Sequence, residues 1–337
     1  MTEIPSLNAP YLLYLGDSSK VLDIKTARGI AKWRPELCLG ELKRPNCQTS
    51  LDLPNLSLNE AIAKGVKTLV IGLANSGGRI SSLWHEDIKS ALKSGLDVAS
   101  GLHAKLSDNE ELVALAKTHN CRLIDLRDTK GINHIGNGIK RSGKRILTVG
   151  TDCSVGKMYT ALAITNEMKA QDFKVTFAAT GQTGVFIEGT GVCIDAVVAD
   201  FMSGAVEQVT PEVENDHWQI VEGQGSLFNP SFAGVSMSLL HGSQPDYLVL
   251  CHEAGRKNIK DLQGYPVPSL EECLALNLTT ARLTNPNVKL VGISLNTRLL
   301  TPEEAGAYIA EIEEKFQVPC FDPMRTGVER FVSQLER

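Results

Sequence analysis

Short apolar runs alternate with stretches of helical period along the first 140 residues. Tyr11–Leu15 reads as a strand and Lys20–Trp33 as mostly helix; Leu37–Leu42 is a second strand and Leu58–Lys64 a short helix. Thr68–Leu73 (TLVIGL) is the clearest buried strand of this half, followed by the loop Ala74–Arg79 and a helix over Leu83–Ser94. Asp97–Leu102 and Arg122–Leu126 complete the strands, with a helix over Asn109–Thr118 between them. Asp128–Gly143 is polar, glycine-rich and without period, and reads as a linker. The second half repeats the alternation: strands at Lys144–Val149, Lys174–Ala179, Trp218–Val221, Tyr247–Leu250 and Lys289–Ser294, and helices at Lys157–Lys169, Pro302–Phe316 and Gly327–Leu335. Strands separated by helices imply βαβ units and parallel sheets, so the chain is expected to form two doubly wound α/β domains, 1–140 and 141–337.

Composition narrows the function classes. The 337 residues are 42% hydrophobic and 22% charged, as in ordinary globular proteins. A net charge of −5 with scattered Lys and Arg disfavours nucleic acid or an anionic membrane as partner. No apolar run reaches the ~18 residues of a membrane span, and no basic n-region precedes the first short apolar stretch. A soluble, cytoplasmic protein is therefore expected, with a homodimer or higher homo-oligomer as the default assembly. The eight cysteines include no CxxC, and only His252 lies beside one, so neither a zinc site nor a disulfide framework is expected.

The sharpest chemical signal is Gly150-Thr151-Asp152-Cys153-Ser154-Val155-Gly156-Lys157-Met158. A buried strand enters it and a helix leaves it. That is the context of a phosphate loop, in which successive N–H groups and a helix N-terminus face an anion while the lysine reaches a phosphate. Thr151, Cys153, Ser154, Val155, Gly156, Lys157 and Met158 are the candidate cofactor-binding residues. The strict pattern G-x-x-x-x-G-K-[ST] is met at Gly156-Lys157, but Thr151 stands at its first glycine and Met158 where Ser or Thr is required. In nucleotide-hydrolysing loops that hydroxyl ligates magnesium, and a thioether is a poor ligand for so hard an ion. Thr160 falls on the wrong helical face to replace it. The cradle remains without its metal handle, and no metal is expected; the alternative is a glycine-rich structural turn.

The spelling GTDCSVGK resembles the GTDxxVGKT loop of the dethiobiotin synthetase group of P-loop proteins. Glu222-Gly223-Gln224-Gly225-Ser226, at the end of Trp218–Val221, is similar to the group's VEGxGG segment, where the glutamate helps to hold magnesium. The order of strands and motifs agrees over 144–337. With its N-terminal α/β half, Met158, ATGQTG (179–184) and GYPVPSLEE (264–272), the whole chain resembles a family long labelled a P-loop domain of unknown function. Some members of that family are bacterial D-glutamate N-acetyltransferases, which work beside an N-acetyl-D-glutamate racemase in D-amino acid catabolism. The resemblance implies an N-terminal Rossmann-like domain, a C-terminal dethiobiotin synthetase-like P-loop sheet, and acetyl transfer from acetyl-CoA to the amino group of D-glutamate.

Acetyl-CoA carries a pyrophosphate and a 3′-phosphate and needs no metal to transfer its acyl group, so a loop without a magnesium hydroxyl suits it. Acyl transfer needs a base for the substrate ammonium and donors for the oxyanion. Asp152, Glu222 and His252, all at strand C-termini, are the candidate catalytic groups. Each also has a structural reading: a helix cap, a loop tie and a packed histidine. Cys153, at a helix N-terminus beside Lys157, offers a lowered-pKa nucleophile for a ping-pong route. For a dicarboxylate amino acid the loop Asn75–Ser82 supplies Ser76, Arg79, Ser81 and Ser82, with Lys43-Arg44 as a second choice and an ordinary turn as the alternative. The N-terminal half has no G-x-G-x-x-G, so a dinucleotide there has little support, and the site is expected between the domains. Two rivals stand beside the transferase: an ATP-dependent ligase or carboxylase of dethiobiotin synthetase type, and a non-catalytic nucleotide- or CoA-binding regulator.

Overall fold

In the computed structural model residues 7–336 are described, the side chain of Ser76 excepted. Runs that read as continuously apolar become strands buried on both faces, the signature of parallel sheets covered by helices. The first sheet comprises β1 (Tyr11–Gly16), β2 (Cys38–Lys43), β3 (Thr68–Ile71), β4 (Asp97–Ser100) and β5 (Leu123–Asp125), in the order β2-β1-β3-β4-β5 with every pair parallel. Around it run α1 (Lys25–Trp33), α2 (Leu58–Ala63), α3 (Ser82–Lys93) and α4 (Glu110–Thr118). Local sequence starts these helices: Ser57 and Glu60 form a capping box for α2, and Asn109 accepts from the first turn of α4.

The second sheet comprises β6 (Lys144–Gly150), β7 (Val175–Ala178), β8 (Trp218–Val221), β9 (Tyr247–Glu253), β10 (Lys289–Asn296) and β11 (Cys320–Phe321), in the order β11-β10-β9-β6-β8-β7, again all parallel. The helices of this half are α5 (Lys157–Ala170), α6 (Gln182–Glu188), α7 (Met202–Val209), α8 (Ala233–Ser243), α9 (Leu270–Ala281), α10 (Pro302–Phe316) and α11 (Glu329–Val332). The strand β6 is central: the chain lays β7 and β8 to one side and returns to lay β9 on the other. The C-terminal end of β6 is thus a topological switch point, where open parallel sheets bind ligands.

The chain divides into two compact units, and the cut expected at 140/141 falls instead at 131/132. Moreover, Gln182–Ala196 belongs to the first unit, although its sequence lies inside the second half. There α6 packs on α1, Arg34 Nη1 donates to the Ile187 carbonyl at 2.6 Å, and Arg127 pairs with Asp195 at 2.6 Å. The stretch read as a linker has no helix or strand, yet from Ile132 on it belongs to the second unit and is fastened there. The buried carboxylate of Glu207 accepts from the N–H groups of Asn137 and Gly138, at 3.0 Å each by Oε1, while Arg141 donates to Thr210 and Gly242. The helix read over Gly327–Leu335 forms only at Glu329–Val332. Among the described residues no helix is long and apolar enough to cross a membrane.

Candidate functional site

At the end of β6 the chain turns through Thr151–Gly156 into the 14-residue helix α5. Two residues take the left-handed conformation that makes this turn: Gly156 at φ +111° and Ser154 at φ +57°. For Ser154 that backbone is unfavourable, and such strain persists where surrounding structure fixes it. Close approach decides a second glycine: a Cβ on Gly223, after β8, would lie 1.5 Å from the Thr148 carbonyl oxygen. Among the described residues none accepts a hydrogen bond from the N–H groups of Ser154, Val155 or Gly156. These donors and the N-terminal end of the α5 dipole form a nest for an anion. Lys157 is 5% exposed, and its Nζ donates to the Asp152 carbonyl at 2.7 Å. Burial pushes its pKa down. An anion entering the nest favours the charged form and offers the ammonium a stronger acceptor.

A chain of alternating charges holds the loop. Arg298 Nε donates to Glu253 Oε1 at 2.6 Å, Arg256 Nε to Glu253 Oε2 at 2.6 Å, and Arg256 Nη1 to Asp152 Oδ2 at 2.8 Å. Arg256 Nη1 also donates to the Cys153 carbonyl at 2.7 Å. Asp152 accepts further from the Lys260 N–H at 2.6 Å and from Asn229 Nδ2 at 3.1 Å. Burial pushes the Asp152 carboxyl up, but the donors of Lys260, Asn229, Cys153 and Arg256 outweigh it and hold the pKa below the ordinary carboxylate range. A carboxylate so surrounded is a poor proton acceptor; its geometry is that of an anchor. Arg256 and Lys260 were not singled out in the sequence. Their signal was available as a cationic run, RKNIK, directly after a strand that ends beside the loop.

His252 lies inside β9 rather than beyond it, because the strand continues to Glu253. Its Nδ1 is 3.0 Å from the Thr151 hydroxyl, so the threonine of the loop fixes the ring. Burial first, then Arg256, push its pKa down to about 4 against the pull of Glu253, which leaves the imidazole neutral at pH 7. Glu222 is buried, and its Oε2 accepts from the N–H groups of Thr180 and Gly181 at 3.0 Å each. It ties the ATGQTG turn to the end of β8. The lowered thiol expected at Cys153 is not found: burial pushes its pKa up, outweighing Lys157. Met158 is half-buried on the first turn of α5, and the Thr160 hydroxyl is taken by Ser294 at 2.7 Å.

In the first unit β1 and β3 are neighbours on either side of that sheet's own switch point, and the loop Ala74–Ser81 leaves the end of β3. Gly77 and Gly78 both have positive φ, and a Cβ on Gly78 would lie 2.7 Å from the His103 nitrogen. Arg79 is exposed and its guanidinium has no hydrogen-bond partner among the described residues; Asn75 Nδ2 holds its carbonyl at 2.9 Å. The hydroxyl of Ser81 caps α3 by accepting from the Leu83 N–H at 3.3 Å, and Ser82 is the helix's first residue. The side chain of Ser76 lies outside the described residues. Arg44 is committed elsewhere: its Nη1 donates to Asp87 Oδ2 at 2.7 Å and to the Leu83 carbonyl at 2.9 Å, and Tyr14 bonds the same Asp87 oxygen.

A central parallel strand feeding a phosphate loop into a helix defines a P-loop α/β protein, here joined to a second parallel sheet. Residues 134–332 match the family model described as "Domain of unknown function (DUF1611_C) P-loop domain", and residues 45–129 match its companion, "Domain of unknown function (DUF1611_N) Rossmann-like domain". The chain belongs to the DUF1611 family. It is similar to a D-glutamate N-acetyltransferase of a Pseudoalteromonas species, with 49% identity over 329 residues covering 98% of this chain and 99% of that protein. A protein of the same name from Tritonibacter scottomollicae is 50% identical over the same shares of both chains. Among solved structures, a DUF1611 family protein from Anabaena variabilis matches with a TM-score of 0.87 and 32% identity, over 97% of this chain and all of that one.

Proposed function

We propose that this protein transfers an acetyl group from acetyl-CoA to the amino group of D-glutamate, in D-amino acid catabolism in the cytoplasm. The observation that carries the reading is the near full-length, roughly one-half identity to two proteins named D-glutamate N-acetyltransferase. The loop supports it: three N–H groups without a partner among the described residues, a buried lysine and a methionine at the magnesium-ligand position suit a phosphate-bearing acyl donor that needs no metal.

In this reading the donor's pyrophosphate lies on the N–H groups of Ser154–Gly156, and Lys157 gives it a charge-assisted bond. The substrate ammonium loses a proton, its nitrogen attacks the thioester carbonyl, the C–N bond forms, and collapse of the tetrahedral adduct breaks the C–S bond. The coenzyme thiolate leaves and takes up a proton. His252 is assigned as proton acceptor. It is neutral at pH 7, and the negative charge of phosphates on the adjoining loop opposes the Arg256 effect and raises its basicity. Arg79 is assigned to a carboxylate of the amino acid, because a planar fork matches that group.

The test is release of coenzyme A thiol from acetyl-CoA across D- and L-amino acids. Turnover confined to D-glutamate among the common amino acids supports the reading. Turnover of ATP without thiol release overturns it in favour of the ligase.

A further inference from the structure

The cations at the phosphate loop fall into two classes. Arg256 is neutralised between Asp152 and Glu253. Lys157 and Lys260 have no carboxylate within salt-bridge distance among the described residues. Lys157 lies at the floor of the loop, 5% exposed. Lys260 lies at the rim: its Nζ is 3.4 Å from the hydroxyl of Ser154, an exposed residue at the outer turn.

The position of Lys260 is built rather than incidental. Its backbone N–H donates to Asp152 Oδ2 at 2.6 Å, so the carboxylate that holds Arg256 also fixes the segment from which Lys260 projects. An ammonium without a carboxylate partner, at the rim of a loop that already holds Lys157 and Arg256, adds positive charge there. An unpaired one held next to an anion nest is complementary to negative charge that arrives from outside.

Resting on the acetyl-CoA reading above, we propose that Lys260, together with the Ser154 hydroxyl, binds a second phosphate of the donor, distinct from the group cradled over Lys157. In a coenzyme A thioester that second group is the 3′-phosphate. Lys260 is then the residue by which the protein prefers a 3′-phosphorylated donor.

The experiment compares acetyl-CoA with 3′-dephospho-acetyl-CoA in the full chain and in Lys260→Ala, at saturating D-glutamate. In the wild type, removing the 3′-phosphate should lower kcat/KM by about tenfold or more, the scale of a charge-assisted bond. Lys260→Ala should lose the same factor with acetyl-CoA and nothing further with the dephospho donor, while Lys260→Arg keeps the preference. Equal losses on both donors, or no loss on either, overturn the assignment. Among the described residues the Lys260 side chain has no hydrogen-bond or ion-pair partner beyond Ser154, so the variant should fold, and an unchanged melting temperature verifies it. Lys157→Ala, run in parallel, separates the two levels. If it raises KM for both donors while Lys260→Ala changes nothing, only the Lys260 assignment fails; if Lys157→Ala changes neither, the donor is not on this loop at all.

Discussion

Asp152 is the residue whose role the structure turns most, from candidate base to anchor, and the two roles predict different variants. Its side chain is fully buried, and Oδ1 and Oδ2 together accept from Asn229, Arg256 and the Lys260 N–H at 3.1, 2.8 and 2.6 Å. Asp152→Ala leaves Arg256, only 14% exposed, with Glu253 as its remaining carboxylate and orphans the Lys260 N–H. Removing one partner of a buried pair costs about 3–5 kcal/mol. For a cooperative unit of this size each kcal/mol lowers Tm by roughly 2–4 °C, so a fall of roughly 6–20 °C is expected. Differential scanning calorimetry at pH 7 measures it, and Asp152→Asn should lie between Ala and wild type. The pH dependence carries a sign. A carboxyl whose folded pKa is depressed contributes stability above its unfolded pKa, near ~3.9, and loses it as pH falls through the lower folded value. The stability gap between wild type and Asp152→Asn should therefore be full at pH 6–7 and close in strong acid. Because the anchor also places Lys260, acetyl-CoA KM should rise in both variants. An Asp152→Asn protein with wild-type Tm and KM but no measurable kcat would refute the anchor and restore the base.

Four further outcomes are expected. His252→Asn should flatten the stability profile between about pH 4 and 6.5: the native imidazole stays neutral down to about 4 while the unfolded one protonates near 6.5, so wild-type stability falls with pH across that window by up to ~1.4 kcal/mol per unit, as urea titrations at stepped pH would read. Acetyl transfer should survive millimolar EDTA with kcat intact and ATP should not be hydrolysed, because Met158 offers no hydroxyl for magnesium; chelation that abolishes activity, with magnesium restoring it, defeats the argument. Arg79→Lys should raise the D-glutamate KM by about tenfold or more and leave the acetyl-CoA KM unchanged in steady-state kinetics; equal effects on both remove Arg79 from the site. Gly223→Ala should yield little folded protein, since its Cβ would lie 1.5 Å from the Thr148 carbonyl oxygen, and soluble yield with circular dichroism reads this directly.

Much of the fold was legible because parallel strands are buried on both faces and announce themselves as apolar runs. All five strands of the first sheet and five of the six in the second were read within a few residues. The missing strand, β11, has two residues, too few to carry a period. Four helices of the second half, α6 to α9, were not read, and for two of them the physical cause is plain. The core of α8 (AGVSMSLLHGS) mixes small, apolar and polar residues with no clear stripe, and α6 is buried on nearly every side, so neither shows the amphipathic pattern that betrays a surface helix. The excursion of Gln182–Ala196 into the first unit is a long-range packing fact. No local pattern distinguishes a segment that returns to its own sheet from one that packs on another.

At the site, the loop itself was legible because its chemistry is backbone chemistry, and glycine spacing between a strand and a helix encodes it. What the sequence could not rank were the ionisable groups around it. Asp152, Glu222 and His252 look alike as acids and bases at strand ends, yet their differences lie in donors from distant segments: Asn229, Arg256 and Lys260 on Asp152, the Thr180 and Gly181 N–H groups on Glu222, and Thr151 on His252. A carboxylate ringed by a guanidinium and N–H donors becomes an anchor, whereas burial leaves the His252 imidazole, held by one hydroxyl, neutral at pH 7. The same residue types therefore diverge in role through their second neighbours. The charge chain from Arg298 through Glu253 and Arg256 to Asp152 fixes the loop from the protein side, whatever residue stands at position 158.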